Sequence, residues 1–283
     1  MTAPLGFVGL GVMGEPMCRN LARKSGRSVV AWDLRREPLA KLAAEGVLAA
    51  GSLRELSQKA ELVFLSLPGE KEIREIVKGL QGNTVVDCST APVALARELA
   101  AKMPFADAPV ARTRQAAIDG TLSIMVGASE ALFARIEPLL RCMASDVTHC
   151  GPPGAGQAVK LLNNMVLAET VMALAEALAV AKASGAVDPR VLFETLMKGS
   201  ADSFALRNHG MKALLPEVHP EKAFPVNYML KDVGYARDLA RSAGLELGGA
   251  GAIFELLKET KEMGLGEAYH TAIIEAVRRR RAS

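Results

Sequence analysis

The fold is decided near the amino terminus by the stretch Leu5-Gly6-Phe7-Val8-Gly9-Leu10-Gly11-Val12-Met13-Gly14. Its first four residues read as a short buried strand, and a G-x-G-x-x-G pattern follows at once. From Met13 to about Lys24, apolar residues recur at four-residue spacing, which predicts a helix. A second apolar run, Ser28–Trp32, ends directly before Asp33. The order strand, glycine turn, helix, strand predicts the first unit of a Rossmann-type doubly wound sheet.

The glycine spacing predicts a dinucleotide site. Gly9 permits a tight turn, Gly11 lets backbone amides approach a pyrophosphate, and Gly14 lets the helix pack close to the strand. The helix amino terminus adds favourable partial positive charge. A plain tight turn is the alternative for three glycines alone, but the flanking strand and helix favour cofactor binding by the whole turn, Gly9, Leu10, Gly11, Val12, Met13 and Gly14.

Asp33 bears on which dinucleotide binds. It lies 19 residues after Gly14, near the spacing expected of the acid that holds a ribose 2′-hydroxyl. A carboxylate there repels a 2′-phosphate, so NAD is predicted over NADP. Arg35 and Arg36 follow directly, and either ordinary solvated charge or contact with a phosphate remains open for them.

Composition limits the classes of function. The chain has 283 residues, 50% of them hydrophobic and 4% aromatic, with a net charge of +3 that gives little reason to expect nucleic acid. The four cysteines show no C-x-x-C pair and the four histidines no metal-ligand spacing, so no metal is expected. A strand beginning by Leu5 leaves no room for a signal peptide, and a cytoplasmic location is predicted.

The first half alternates strand and helix patterns as far as Val147–Cys150, and only helical patterns follow Gly154. We therefore predict a domain over residues 1–153 and an all-helical domain over residues 154–283, joined by a long interdomain helix. Within that helix, Met165–Ala181 contains two glutamates and falls short of a membrane span. Its uniform apolarity predicts a homodimer or homotetramer, without a membrane partner.

The long helix opens with polar residues in an apolar setting. Lys160 and Asn164 are one turn apart on one face, with Asn163 beside them. A cation and two amides at a buried helix start are costly unless polar groups face them, so they are candidates for a reacting site. Polar loops also follow two strands: Leu67 and Pro68 are expected to line the adenosine ribose. Thr90 is expected near the nicotinamide, although a capping role is the alternative.

Four blocks in this order resemble the β-hydroxyacid dehydrogenases, which include 3-hydroxyisobutyrate dehydrogenase. They are Gly9–Gly14, Asp107-Ala108-Pro109-Val110 with Gly120-Thr121-Leu122, Gly154-Ala155-Gly156 with Lys160 and Asn164, and Lys231-Asp232-Val233-Gly234. The resemblance implies that Lys160 is the catalytic lysine and that Asn164 holds the substrate. It also implies that Thr90 and Lys231 contact the cofactor, and it agrees with the predicted division into two domains.

One loop departs from the family pattern. Where most members carry Ser-Gly-Gly, this chain has Ala111-Arg112-Thr113, which resembles a branch that includes sulfolactaldehyde reductase. Arg112 is predicted to clamp an anionic head group, with Thr113 and Asn163 beside it, and a solvated loop arginine is the alternative.

The predicted reaction is hydride transfer between NAD(H) and a small anionic 3-hydroxyacid or semialdehyde. Reductases of sulfolactaldehyde or succinic semialdehyde are the first alternative, and a non-catalytic NAD-binding interaction protein is the second. Lys160 argues against an imine reductase, which generally lacks it. The shorter helical region and Asn163 argue against 6-phosphogluconate dehydrogenase, which has a histidine at the latter position.

Overall fold

The computed structural model describes residues 3–221 and 223–280. The chain forms two compact units, Met1–Lys160 and Leu161–Ser283. The division falls inside a continuous 30-residue helix, Ala155–Ser184, seven residues beyond the predicted domain boundary at residue 153.

The first unit is built on a sheet whose strand order is β3-β2-β1-β4-β5-β6-β8-β7, with β9 paired to β8. The strands are β1 Leu5–Val8, β2 Val29–Trp32, β3 Leu48–Ala49, β4 Leu62–Leu65, β5 Thr84–Asp87, β6 Phe105–Asp107, β7 Val110–Ala111, β8 Leu122–Gly127 and β9 Ala144–Gly151. All four residues of β1 are buried, as expected for a central parallel strand covered on both faces. This order places β1 beside β2 and β4, so the loops after these strands share one edge of the sheet.

Helices alternate with these strands. They are α1 Gly14–Lys24, α2 Arg36–Ala43, α3 Leu53–Lys59, α4 Glu70–Lys78, α5 Val93–Ala100, α6 Arg114–Asp119 and α7 Glu130–Leu140. Two apolar clusters fill the unit, one containing Phe7 and Phe64 and the other Val63 and Leu65, because successive strand side chains point to opposite faces. The prediction of a doubly wound sheet followed by helices is confirmed.

Some features of the sheet differ from a simple alternation. Strand β8 runs antiparallel to β6, joined through the pair Asp107 and Gly127, while β9 runs parallel to β8. The short elements β3, α3, β7 and α6 were not predicted, since two to seven residues carry too little periodicity. The antiparallel direction of β8 places Gly127 directly beside Asp107.

The second unit is helical. It contains most of α8 Ala155–Ser184, then α9 Pro189–Leu196, a π-helix Leu206–Leu214, α10 Val226–Ser242, α11 Gly248–Thr260, a π-helical turn Lys261–Leu265, a 3-10 turn His270–Ala272 and α12 Ile273–Arg279. Its buried apolar cluster includes Val171, Phe193, Met229 and Ile253. The expectation that this helix falls short of a membrane span differs from the structure, because by length and composition alone α8 is long and apolar enough to cross a membrane. Core helices of soluble proteins share this property.

Candidate active site

The glycine turn has the geometry that a dinucleotide needs. Gly9 has φ of +90°, and a Cβ there would lie 2.2 Å from the carbonyl oxygen of Ser66. A Cβ on Gly14 would lie 1.9 Å from the carbonyl oxygen of Gly9, so α1 can start this close to β1 only with glycine. A Cβ on Gly11, by contrast, would meet no atom within 4 Å. Gly11 therefore faces open space at the start of α1, where an anion is favoured.

Asp33, at the end of β2, shapes the same turn. Its carboxylate accepts hydrogen bonds from the backbone N–H of Leu10 at 2.6 Å and of Arg35 at 2.8 Å. Burial acts to raise its pKa, but these bonds and the Arg35 guanidinium outweigh burial and hold the pKa below its ordinary value. Asp33 is therefore ionised at neutral pH. The Arg35 guanidinium folds back onto the turn and donates to the carbonyl of Leu10 at 3.0 Å. Arg35 and Arg36 are both exposed.

The loops after β4 and β5 are tied together. The N–H of Leu67 donates to the Ser89 hydroxyl at 2.8 Å, and the N–H of Ser89 donates to Asp87 at 3.0 Å. Pro68 continues the first loop at an exposed position, and Thr90 continues the second at a partly buried one. Since β4 and β5 are neighbouring parallel strands, both loops lie at their carboxyl ends, the edge at which doubly wound sheets bind ligands.

Asp107, at the end of β6, holds the start of α8. One carboxylate oxygen accepts the N–H of Gly154 at 2.6 Å, and the other accepts the N–H of Gln157 at 2.7 Å. A Cβ on Gly127 would lie 2.4 Å from this carboxylate, so the reversed strand β8 approaches it through glycine. Burial raises the pKa of Asp107 above its ordinary value despite the N–H bonds. The side chain of Lys160, one turn further along α8, is buried.

The next turn of α8 carries the two asparagines. Asn164 is buried and its amide donates to Asp232 on α10 at 2.7 Å, while its oxygen accepts from Asn163 at 3.1 Å. Lys231 lies 3.4 Å from the other oxygen of Asp232, with its ammonium 5.5 Å from the ring centre of Tyr228. The structure therefore groups Asn163, Asn164 and Lys231 around one buried carboxylate.

Arg112 and Thr113 have other partners. The Arg112 guanidinium donates to Asp146 at 2.6 Å, to the Ser145 hydroxyl at 2.7 Å and to the Thr121 carbonyl at 2.6 Å, all at the exposed surface. Its backbone has φ of +84°, in the left-handed region that favours glycine. The Thr113 hydroxyl caps α6. Binding of an anion by Arg112 would therefore require release from Asp146.

Three residues of this arrangement were missed by sequence reasoning as site residues. Asp232 and Asp107 were noted only within motifs, and Gln157 only as part of the helix start. An acid in an otherwise apolar stretch was the available signal for Asp107, whereas Asp232 directly follows Lys231 and had only its motif as a signal. Gln157 carried no signal, because its partners are 66 and 68 residues away.

The site geometry fits an NAD(P)-dependent enzyme, and the relatives agree. Residues 4–151 match the family model described as the NAD binding domain of 6-phosphogluconate dehydrogenase. Residues 154–277 match the model described as NAD-binding of NADP-dependent 3-hydroxyisobutyrate dehydrogenase. The chain is 32% identical to 2-(hydroxymethyl)glutarate dehydrogenase of Eubacterium barkeri over 95% of this chain and 93% of that protein. It is 31% identical to 2-hydroxy-3-oxopropionate reductase of Escherichia coli strain K12, over 96% of each chain.

Solved structures place the fold in the same group. 3-Hydroxyisobutyrate dehydrogenase of Mycobacterium tuberculosis, solved with L-serine, superposes with a TM-score of 0.89 at 29% identity, over 98% of this chain and all of that one. An imine reductase from Pseudomonas sp. superposes with a TM-score of 0.61 at 17% identity, over 98% of this chain and 99% of that one, which shows a shared fold alone.

Proposed function

The chain belongs to the β-hydroxyacid dehydrogenase family, and on that premise we propose that it interconverts a small anionic 3-hydroxyacid and its semialdehyde with NAD. It is an oxidoreductase of the CH–OH type with an NAD(P)-binding Rossmann fold. The observation that carries the proposal is the buried Lys160 on α8, one turn before an Asn164 whose amide is held by Asp232.

NAD is proposed over NADP because of Asp33. Its carboxylate is ionised and fixed by backbone N–H groups at the end of β2, where it suits a ribose 2′-hydroxyl and repels a 2′-phosphate. Arg35 is turned onto Leu10 and paired with Asp33, which leaves it less available for a phosphate. The turn Gly9–Gly14 would hold the pyrophosphate, Leu67 and Pro68 would line the adenosine side, and Thr90 and Lys231 would contact the nicotinamide side.

The chain's own residues supply position and a proton. The bound cofactor would supply or accept the hydride. Lys160 would donate a proton to the aldehyde oxygen in reduction and remove it from the hydroxyl in oxidation. Asn164 would orient the reacting oxygen, and Asp232 would hold the Asn164 amide in one rotamer because the carboxylate can only accept from its NH₂ group.

The head group of the substrate is proposed to be a carboxylate held near Asn163 and Thr113. Arg112 would add a charge-assisted bond once it leaves Asp146, and an exposed ion pair of that kind costs about 0–1 kcal/mol to break. A sulfonate, as in sulfolactaldehyde, or the more distant carboxylate of succinic semialdehyde is the alternative that a mobile Arg112 would favour.

The test is a substrate screen that follows NADH absorbance with 3-hydroxyisobutyrate, 3-hydroxypropionate, succinic semialdehyde and sulfolactaldehyde. Lys160→Ala should lower kcat by about 100-fold or more, the usual contribution of a general acid. The exposed Lys102→Ala should retain wild-type activity. A wild-type protein that binds NADH and turns over none of these compounds supports the alternative of a non-catalytic NAD-binding protein.

A homodimer or homotetramer in the cytoplasm completes the proposal. Leu162, Val166, Ala173 and Val180 are exposed and share one face of α8 at heptad spacing, and Val166 and Val180 are 57% and 66% exposed. A second copy of the chain would bury this face. Light scattering at micromolar concentration should give at least twice the chain mass, and Val166→Glu should reduce the oligomer. A monomeric wild type would refute this assembly.

A further inference from the structure

The side chain of Gln157 is hydrogen-bonded to the loop that follows β5. Its side chain is fully buried in the first turn of α8. Its Oε1 accepts a hydrogen bond from the N–H of Ala91 at 3.1 Å, and its Nε2 donates to the carbonyl of Ser89 at 2.8 Å. These two bonds fall on the peptide groups on either side of Thr90. One side-chain amide therefore fixes the backbone of a single residue from both directions.

Ser89 extends this connection to the loop after β4. Its hydroxyl accepts the N–H of Leu67 at 2.8 Å, while its carbonyl accepts from Gln157. A displacement of Gln157 would therefore be transmitted first to Thr90 and then to Leu67. None of these groups belongs to the glycine turn or to Asp33, which have separate hydrogen bonds.

The helical end of this connection is equally constrained. The N–H of Gln157 donates to Asp107 at 2.7 Å, so both the backbone and the side chain of this residue are anchored. Lys160 follows three residues later, on the same face of α8. The helix turn that carries Lys160 and the loop that carries Thr90 are thus linked through one buried amide.

We propose that Gln157 is a positioning residue that sets the Thr90 loop, and with it the nicotinamide end of the cofactor, relative to Lys160. This inference rests on the proposed function. Hydride transfer is sensitive to displacements of about 1 Å, which can cost about 100-fold in rate. The adenosine end has further contacts in the glycine turn and Asp33, which do not depend on Gln157, so loss of the Gln157 bonds should weaken the nicotinamide end more than the adenosine end.

The first test replaces Gln157 with methionine, which has similar volume but cannot hydrogen-bond to Ser89 or Ala91. We expect kcat to fall about 10- to 100-fold with little change in substrate KM. We expect the Kd of NADH to rise about 5-fold, as for one lost hydrogen bond, and the Kd of ADP-ribose, which lacks nicotinamide, to stay within 2-fold. The exposed Gln81→Met is the matched control and should behave as wild type.

A second variant, Gln157→Glu, distinguishes the loss of one hydrogen bond from a general loss of the folded state. An ionised glutamate still accepts from Ala91 but cannot donate to Ser89, whereas the protonated acid can do both. Burial should raise the pKa of this glutamate, so activity relative to wild type should recover as the pH falls from about 8 to about 5.5. A parallel pH profile in variant and wild type would overturn the proposal.

The remaining outcomes are also decisive. Equal weakening of NADH and ADP-ribose by Gln157→Met, or no effect on either ligand or on kcat, overturns the positioning role. If the wild type binds NADH and turns over substrate and Gln157→Met behaves in the same way, the positioning role of Gln157 is refuted and the proposed function stands. A wild type without NADH binding refutes the proposed function itself.

Discussion

Acidification should destabilise the helical unit through three histidines, of which His270 is buried and His209 and His219 are partly buried. His209 approaches the hydroxyl of Tyr269 through Nδ1 at 2.6 Å, and His270 approaches the carbonyl of Phe224 at 3.2 Å. The rings of His209 and His270 are 5.0 Å apart. Within the described ranges, the buried Nε2 atoms of these two residues and of His219 have no hydrogen-bond partner. Glu275 partly offsets the effect of burial on the pKa of His219, but among the described residues no carboxylate favours a proton on His209 or His270.

The direction and size of the effect follow from the depressed pKa values. Burial and then Lys212 lower the pKa of His209 from 6.5 to about 4, and burial and then His209 lower the pKa of His270 to about 3. The unfolded chain takes up protons below about pH 6.5 while the folded chain does not, so stability is present above that pH and is lost as the pH falls towards 4. For His209 alone the loss by pH 4.5 is about 2.5 kcal/mol.

The assay is the free energy of unfolding in urea, measured from pH 8 to pH 4.5 for wild type and His209→Gln. Glutamine cannot take up a proton, so the variant should lose about 2 kcal/mol less than wild type over this range. His149→Gln makes the same substitution in the other unit, where the ring stacks on Phe133, and is the matched control. Identical pH slopes for wild type and His209→Gln would refute the reasoning.

Three further outcomes are expected. Asp33→Ala should raise the Kd of NAD about 10-fold and reduce discrimination against NADP, as measured by calorimetry with both cofactors, because a charged hydrogen bond and a repulsion are lost. Asp232→Ala should lower kcat/KM about 10- to 100-fold because it leaves the buried amide of Asn164 unpaired. Asp238→Ala changes an exposed residue on the same helix and should leave kcat/KM unchanged. Equal kcat/KM values for the two variants would exclude a role of Asp232 in holding Asn164. At Arg112, glycine should be more stable than alanine by about 1 kcal/mol in urea unfolding, since only glycine relieves the positive φ, and equal stability would contradict the strain.

The predicted elements that the structure reproduces best are those with clear periodicity. The helices α4 Glu70–Lys78 and α7 Glu130–Leu140 lie in the half of the chain for which the sequence predicts alternating strands and helices. Each has a dense repeat of apolar residues that a single helical face explains. The two-residue strand Leu48–Ala49 was missed because two residues are too few to show the alternation of apolar and polar side chains that predicts a strand. It is defined by its pairing with the neighbouring strand Val29–Trp32.

The candidate site was only partly accessible from sequence. Lys160, Asn163 and Asn164 were placed together because helical spacing alone brings them to adjacent turns. The orientation of the Arg112 guanidinium could not be predicted from sequence. It depends on a positive φ at Arg112 and on a hydrogen bond to Asp146, which is 34 residues away. That Arg112 binds an anion stays a prediction.

The sequence by itself determined the glycine turn, the acid after β2, the alternation of strands and helices and the polar start of the long helix. Each of these is a pattern of residues near one another in the sequence, where backbone geometry dictates which side chains are neighbours. Only the tertiary structure decided that Asp232 holds Asn164, that Gln157 holds the Thr90 loop and that β8 reverses against β6. Those pairings join residues far apart in the chain, and they are selected by the burial of polar groups that must find partners in the folded state.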